Sequence, residues 1–102
     1  MTTSETLIKA RDLLAQGWCQ GVAWIHNKNG GYTYCIFGAL EKSKDNQKAL
    51  FEARDFIYGA LARRQYEKDI EDFNDAPGRT QAEILKLMDD AIELAKQEES
   101  EQ

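Results

Sequence analysis

The sequence predicts a small, mainly α-helical domain: about four helices, orthogonal or bundle-like, with one β-hairpin inserted near residues 21–34. Apolar residues recur at helical spacing in separate segments. An Asn-Gly pair lies between two runs of β-forming residues. The 102 residues, 42% of them hydrophobic, suffice for one core. We expect residues 1–96 to form a single domain and residues 97–102 a polar, acidic tail.

The first predicted helix begins at Thr2, where Glu5 would complete a capping box, or at Ser4 alone. Gly17 is expected to end it, because glycine tolerates the left-handed conformation that follows many helices. One face of this helix carries Leu7, Ala10, Arg11 and Leu14, with Leu13 beside it.

The hairpin is predicted from residues 21–34. Residues 21–26 form a short apolar run rich in β-forming side chains, and residues 32–34 would form the returning strand. Between them, Asn29 and Gly30 belong to a polar turn, and Asn-Gly is the strongest short hairpin signal. Because an isolated hairpin is marginally stable in water, it should pack on the helices.

Two further helices are predicted after the hairpin. Residues 35–40 form a short apolar run containing small residues, which suits a helix packed closely against a neighbour. Thr33 is the predicted cap of this helix, and Ser43 or Asp45 that of the next. The apolar spacing of that longer helix fades around residues 66–73.

The last helix has the clearest start in the sequence. Thr80 and Glu83 predict a capping box, preceded by a loop over residues 73–80 that holds the only proline. Its apolar face follows the helical period: Ile84, Leu87, Met88, Ala91, Ile92, Leu94 and Ala95.

The charge balance is acidic, with 18 Asp and Glu against 13 Lys and Arg and a formal net charge of -5. An acidic surface repels phosphate backbones, which argues against direct nucleic-acid binding. The same charge suits docking on a basic surface of another protein, and it also serves solubility.

The chain offers little for metals, cofactors or membranes. Two cysteines and one histidine give no zinc set, and the two cysteines give no disulfide framework. We therefore expect no cofactor. No apolar stretch approaches the roughly 18 residues of a membrane span, and the first residues do not resemble a signal peptide. A cytoplasmic location without a membrane partner is the resulting expectation.

Cys35 is the candidate for nucleophilic chemistry. In the first turn of a helix capped by Thr33, unpaired backbone N–H groups would favour its thiolate. His26 and Asp75 could then complete a Cys-His-Asp set. The competing interpretation is a buried cysteine acting as a small apolar residue, and it is favoured because this is the commonest role of cysteine.

The loop at residues 73–80 is the candidate for ligand binding. Asn74, Asp75 and Arg79 place an amide, a carboxylate and a guanidinium beside a helix start, where an anion could bind. The structural alternative is favoured: Asn and Asp commonly bond the backbone in turns, and Arg79 could pair with Asp75.

Aromatic residues concentrate around the hairpin. Trp24 and Tyr32 are candidates for a binding face, together with Trp18 and Tyr34. The alternative is that these rings attach the hairpin to the helices. That alternative is favoured for Trp18 and Trp24, because a domain this small needs large apolar groups in its core.

Three motifs lie in order along the chain: WCQG at residues 18–21, YCIFGAL at 34–40 and FNDAPGRT at 73–80. With this order and spacing the sequence resembles an uncharacterised family of small bacterial and phage proteins. Members of that family show a Trp-x-Gln-Gly start, a Tyr/Trp-Cys-x-x-Gly-Ala-Leu segment and a Trp-Asn-Asp-x-x-x-Arg-Thr loop. This chain has Phe73 where the family usually has Trp, and Cys19 where Thr is common. The resemblance implies no catalytic residue; it implies an origin in phages or mobile elements.

The leading functional hypothesis is a small acidic, non-enzymatic protein-binding module, encoded by a phage or mobile element, that inhibits a host or defence protein. A protein partner is expected, and a homodimer is compatible with the sequence. One alternative is a cysteine-dependent enzyme using Cys35. Another is an anion- or nucleotide-binding module at residues 74–80.

Overall fold

A computed structural model describes residues 2–101, and within them the chain forms five α-helices and one antiparallel two-stranded hairpin. The mainly α-helical class with an inserted hairpin is therefore confirmed, with five helices instead of about four. The elements are α1 Thr3–Gln16, β1 Trp24–His26, β2 Tyr32–Tyr34, α2 Ile36–Ser43, α3 Gln47–Arg63, α4 Ile70–Asp75 and α5 Gln81–Ser100.

The core lies between α1, α3 and α5, which pack against one another, and α2 closes it on the α1 side. The apolar faces predicted for the first and last helices point into this core. Its fully buried members include Leu7, Leu14, Ile36, Leu40, Leu50, Ile57, Ile84, Leu87 and Met88.

The start of α1 is as predicted, but the reason for glycine at its end is different. Thr2 and Glu5 form the capping box. Gly17 is extended, with φ 179°, so the expected left-handed conformation is wrong. A Cβ at Gly17 would lie 2.7 Å from Thr33 Cγ2, so glycine is required by the close approach of β2.

The start of α2 is not where the sequence placed it. Thr33 lies in β2, and Cys35 is the N-cap. The Cys35 sulfur accepts a hydrogen bond from the backbone N–H of Gly38 at 3.3 Å. Because Thr33 is part of β2, it cannot cap α2, and the N-cap is Cys35, the first residue after the hairpin.

The start of α3 was also predicted too early. Asn46 is the N-cap, and its Oδ1 accepts a hydrogen bond from the Ala49 N–H at 2.9 Å. Ser43, one of the two predicted caps, is the buried last residue of α2. Asp45, the other, precedes the cap.

The long third helix of the prediction is two helices. α3 ends at Arg63, and Gln65 adopts a left-handed backbone with φ 57°, which breaks the helical path. Asp69 and Asp72 then form a capping box that opens α4. The predicted loop at 73–80 is correspondingly shorter, because its first three residues belong to α4.

α5 begins at the predicted capping box of Thr80 and Glu83 but extends further than expected. Helical structure continues through Ser100, so residues 97–100 are not a tail. Glu99 accepts hydrogen bonds from the backbone N–H and the hydroxyl of Ser4, at 3.0 and 2.7 Å. A carboxylate at the start of α1 also interacts favourably with the helix dipole.

The capping boxes predict a loss of stability in acid. Backbone hydrogen bonds from Thr2 and Thr80 lower the pKa of Glu5 and of Glu83, respectively. A carboxyl group whose pKa is lower in the folded than in the unfolded protein stabilises the fold at pH values above its pKa in the unfolded protein. This stabilisation is lost as the pH falls through the pKa of the folded protein. We expect the melting temperature to decrease as the pH is lowered below about 4. Glu83→Gln keeps the cap but cannot titrate, so its melting temperature should depend less on pH over that range; identical profiles would contradict this assignment.

Candidate functional site

Three segments of the chain meet where the hairpin joins the helices. We call this meeting point the junction; it comprises residues 18–21, 34–38 and 73–79. These are the segments that carry the three sequence motifs. The structure brings them together through one buried side chain and a short run of backbone pairing.

Asn74 is the centre of the junction and is only 2% exposed. Its Oδ1 accepts hydrogen bonds from the indole Nε1–H of Trp18 and the backbone N–H of Ile36, each at 3.0 Å. Its Nδ2 donates to the carbonyl of Cys19 at 3.1 Å and to Asp75 Oδ1 at 2.8 Å. Because every polar atom of the amide has a partner, Asn74 connects α4 to the segment after α1 and to the start of α2.

Gln20 and Asp75 extend these connections. Gln20 Nε2 donates to the carbonyls of Asn74 and Ala76, at 3.0 and 3.1 Å, which satisfies acceptors at the end of α4. The backbone N–H of Gly21 donates to Asp75 Oδ1 at 3.0 Å. The polar residues of the WCQG and FND segments are thus used to hold the chain in place.

The backbone of the segment after α1 also pairs with the hairpin, along the edge of β2. Trp18 forms a parallel bridge with Tyr34. The Cys19 N–H donates to the Tyr34 carbonyl, and the Tyr34 N–H donates to the Gly17 carbonyl, both at 3.0 Å. The Cys35 N–H donates to the Ala23 carbonyl, also at 3.0 Å. The end of β2 is therefore bonded on both sides, to the segment after α1 and to the segment that leads into β1.

Arg79 contacts other residues than those predicted. Its Nε donates to the Phe73 carbonyl at 2.8 Å, and its guanidinium stacks over the Phe73 ring at 3.7 Å. Its Nη1 pairs with Glu83 Oε2 at 3.1 Å. The predicted Arg79–Asp75 pair is wrong, because Asp75 faces Gly21. With its side chain only 16% exposed, Arg79 fixes the turn before α5.

The environment of Cys35 opposes ionisation of the thiol. Burial is the largest influence and raises the pKa of Cys35 above its ordinary value, although hydrogen bonds from Gly38 and Phe37 act in the opposite direction. This direction is opposite to the preference for the thiolate that a position in the first turn of a helix predicts. Cys19 is buried, and its thiol donates to the Val22 carbonyl at 3.7 Å.

The predicted Cys-His-Asp set is not assembled. Cys35 and Asp75 line a cavity of about 150 Å³ together with Glu71 and Asn74, but His26 does not line it. His26 is exposed on the hairpin, where its ring stacks on Tyr32 with 4.6 Å between centroids. The cavity therefore brings the Cys35 thiol together with two carboxylates, while the histidine of the predicted set lies outside its lining.

Slow thiol reactivity is the expected result at Cys35. In a Cys19→Ser variant, where Cys35 is the remaining thiol, alkylation at pH 7 should be slower in the folded protein than for a free thiol, because the reactive thiolate is disfavoured. Unfolding in urea should restore the rate of a free thiol. An alkylation rate in the folded protein above that of a free cysteine would show that the site activates its sulfur.

The hairpin presents an aromatic face. Trp24 pairs with Tyr34, and His26 with Tyr32, so the four rings lie on one side of the sheet. Tyr32 is edge-on to Trp24 at 5.7 Å and stacked with Tyr34 at 6.2 Å. Trp24 is 56% exposed and Tyr32 46%, while Tyr34 is buried. The prediction that Trp24 belongs to the core is therefore wrong, whereas Trp18 is half-buried.

An open groove of about 610 Å³ runs between this aromatic face and α2. Trp24, Tyr32 and Phe37 line it, and Glu41 and Lys42 lie at its α2 side. Large aromatic groups beside a few charged residues are typical of a protein interface with a polar rim.

Charge is distributed unevenly between the hairpin end and the rest of the protein. Between residues 13 and 40 the only formally charged side chain is Lys28. Since the whole chain has a net charge of -5, the remainder carries -6. The hairpin end is thus an aromatic part with a single positive charge in an otherwise acidic protein.

The fold and the junction define a small helical protein with an anchored, exposed hairpin. The chain belongs to a family of unknown function (DUF6197), whose model matches residues 1–94. This confirms the predicted membership of an uncharacterised family. No curated protein and no solved structure matches the chain significantly.

Among residues 2–101, no three His, Cys, Asp or Glu side chains are grouped so that they could hold a metal ion. None of the helices in this range combines the length and the apolar character needed to cross a membrane.

Proposed function

We propose that the protein is a non-enzymatic protein-binding module whose contact surface is the aromatic face of the hairpin. The observation that carries this proposal is the distribution of exposed apolar side chains. Of the five large hydrophobic residues that are exposed within residues 2–101, four lie in or beside the hairpin. They are Val22 at 51%, Trp24 at 56%, Ile25 at 44% and Tyr32 at 46%.

The junction supports this role by making the hairpin rigid. A two-stranded hairpin alone is marginally stable, but this one is bonded at its base to Gly17 after α1 and to Cys35 before α2, and the preceding Gly21 is bonded to Asp75 of α4. Its rings also pack against one another, so little side-chain entropy remains to be lost on binding. Pre-ordered Trp and Tyr side chains are the residues that most often dominate binding energy.

A protein partner fits the charge distribution better than a nucleic acid. The acidic remainder of the chain would repel phosphates, and the hairpin end offers only Lys28 to attract them. A partner with an apolar pocket inside a basic surface would complement both parts. We further propose a cytoplasmic setting in which this partner is a host or defence protein and the chain, encoded by a phage or mobile element, acts as its inhibitor.

Affinity capture with matched variants tests the proposal. A partner recovered in stoichiometric amounts by the unmodified chain should be lost with the double variant Trp24→Ser and Tyr32→Ser, by at least about a hundredfold in affinity if both rings are hot spots. Phe51→Ser is the control, since Phe51 is 47% exposed but lies on α3. Equal capture by the hairpin variant and by the control would contradict the proposed surface, as would the absence of any stoichiometric partner.

A further inference from the structure

The open edge of β1 is a second feature of the hairpin, distinct from its aromatic face. β2 is paired on both sides, with β1 on one side and with Trp18 at Tyr34 on the other. β1 is paired on one side only. All three residues of β1 are exposed, so this edge is open within the described part of the chain.

The hydrogen-bond alternation shows which groups are available. The Ala23 carbonyl accepts from the Cys35 N–H, and the Asn27 N–H donates to the Gly31 carbonyl. In an antiparallel pair the bonded positions alternate, so Ile25 bonds to Thr33 while the N–H and C=O of Trp24 and His26 point away from β2. These outward groups form a short template for another strand.

We propose that a second copy of this chain pairs with β1 in antiparallel orientation, with Ile25 on the two-fold axis. In this register Trp24 of each copy lies opposite His26 of the other, and the two residues exchange both of their backbone hydrogen bonds. The pairing joins two hairpins into a four-stranded sheet, and the two aromatic faces become one continuous surface. The interface is isologous, as closed dimers require.

The edge is complementary to a second copy of itself, because its outward groups at Trp24 and His26 are arranged symmetrically about Ile25, and the charge distribution is compatible with this occupant. Two chains with a net charge of -5 repel each other over most of their surfaces. Contact through the hairpin end brings together the segment in which Lys28 is the only charge, while the acidic helices stay apart. The exposed apolar Val22 and Ile25 beside the edge are then partly removed from water. This proposal concerns self-association and does not depend on the proposed function.

The test is sedimentation equilibrium of the full chain and of charge variants at Ile25. The unmodified protein should be dimeric, with a mass that decreases on dilution. Ile25→Lys and Ile25→Glu each place like charges opposite each other across the axis, so each should dimerise at least about tenfold more weakly. An equimolar mixture of the two variants should dimerise again, because the opposite charges then face each other. Phe51→Lys, on α3, should leave the dimer unchanged.

Each other outcome overturns the proposal. A monomer at the highest soluble concentration excludes the dimer, and a dimer that tolerates both charge variants lies at another surface. Two monomeric variants that do not associate when mixed exclude Ile25 on the axis. Cross-linking of an Ile25→Cys variant gives an independent measurement, which is needed if the charge variants fold poorly. Non-hydrogen-bonded antiparallel pairs have Cα atoms about 4.5 Å apart, within the range for disulfides, so this variant should cross-link on mild oxidation and Phe51→Cys should not.

Discussion

Replacing Asn74 with alanine is expected to lower the free energy of unfolding by about 3–5 kcal/mol, the largest effect of any single polar substitution in the junction. The change removes the acceptor of the Trp18 and Ile36 N–H groups and the donor to the Cys19 carbonyl. These groups are buried or partly buried, and a buried polar group without a partner costs about 1–3 kcal/mol. Asn74→Ala therefore costs more than the lost hydrogen bonds alone, because it also leaves buried N–H and carbonyl groups without partners.

Thermal unfolding measures this effect. For a domain of this size the melting temperature should fall by about 12 °C or more, since each kcal/mol corresponds to about 4–8 °C. Asn29→Ala is the matched control, because Asn29 is exposed and its side chain accepts only one turn hydrogen bond, from the Gly31 N–H. A melting temperature for Asn74→Ala within a few degrees of the control would show that the junction is not held together by this amide.

The second large effect is expected for Gly38→Ala. A Cβ at Gly38 would lie 2.0 Å from the carbonyl oxygen of Ala23 and 2.8 Å from its carbonyl carbon. Because the obstacle is backbone, no side-chain rotation relieves it, and the start of the hairpin must move away from α2. Overpacking costs about 1–3 kcal/mol, and a backbone clash places this variant at or above the upper end of that range.

Gly59→Ala is a control with the same chemistry and the opposite expected sign. Gly59 lies inside α3, and the nearest atom to its added Cβ is a side-chain carbon of Leu94 at 3.4 Å. Alanine in a helix interior is favoured over glycine by about 0.5–1 kcal/mol, so this variant should unfold at an equal or higher denaturant concentration. Equal midpoints for the two variants would contradict the close approach of hairpin and α2.

The sequence predicted those parts of the fold that depend on neighbouring residues. The capping boxes at Thr2 and Thr80 and the turn at Asn29 and Gly30 involve residues within a few positions of each other, so their signals are visible in a single chain. The division of the third helix was missed because Gln65 is an unusual residue for a left-handed backbone.

The candidate site was harder to predict because its contacts are long-range. Asn74 is a candidate from the sequence, but apart from Asp75 its side-chain partners lie 38 to 56 positions away in the chain, so a local turn is the natural interpretation. The pairing of Arg79 with Glu83 could have been found from their helical spacing of four residues. The exposure of Trp24 could not, since alternation in a three-residue strand does not show which face is covered.

The central claim is that the motif segments form a rigid structural junction that holds the hairpin in place. Native-state hydrogen exchange at the backbone amides of Cys19, Cys35 and Ile36 tests this claim most directly, since each of them donates to an acceptor in another segment. We expect these amides to exchange as slowly as those of Leu14 and Leu87 in the helical core. Exchange that is orders of magnitude faster at these amides than in the core would show that the junction opens readily and does not hold the hairpin in place, which would contradict the account.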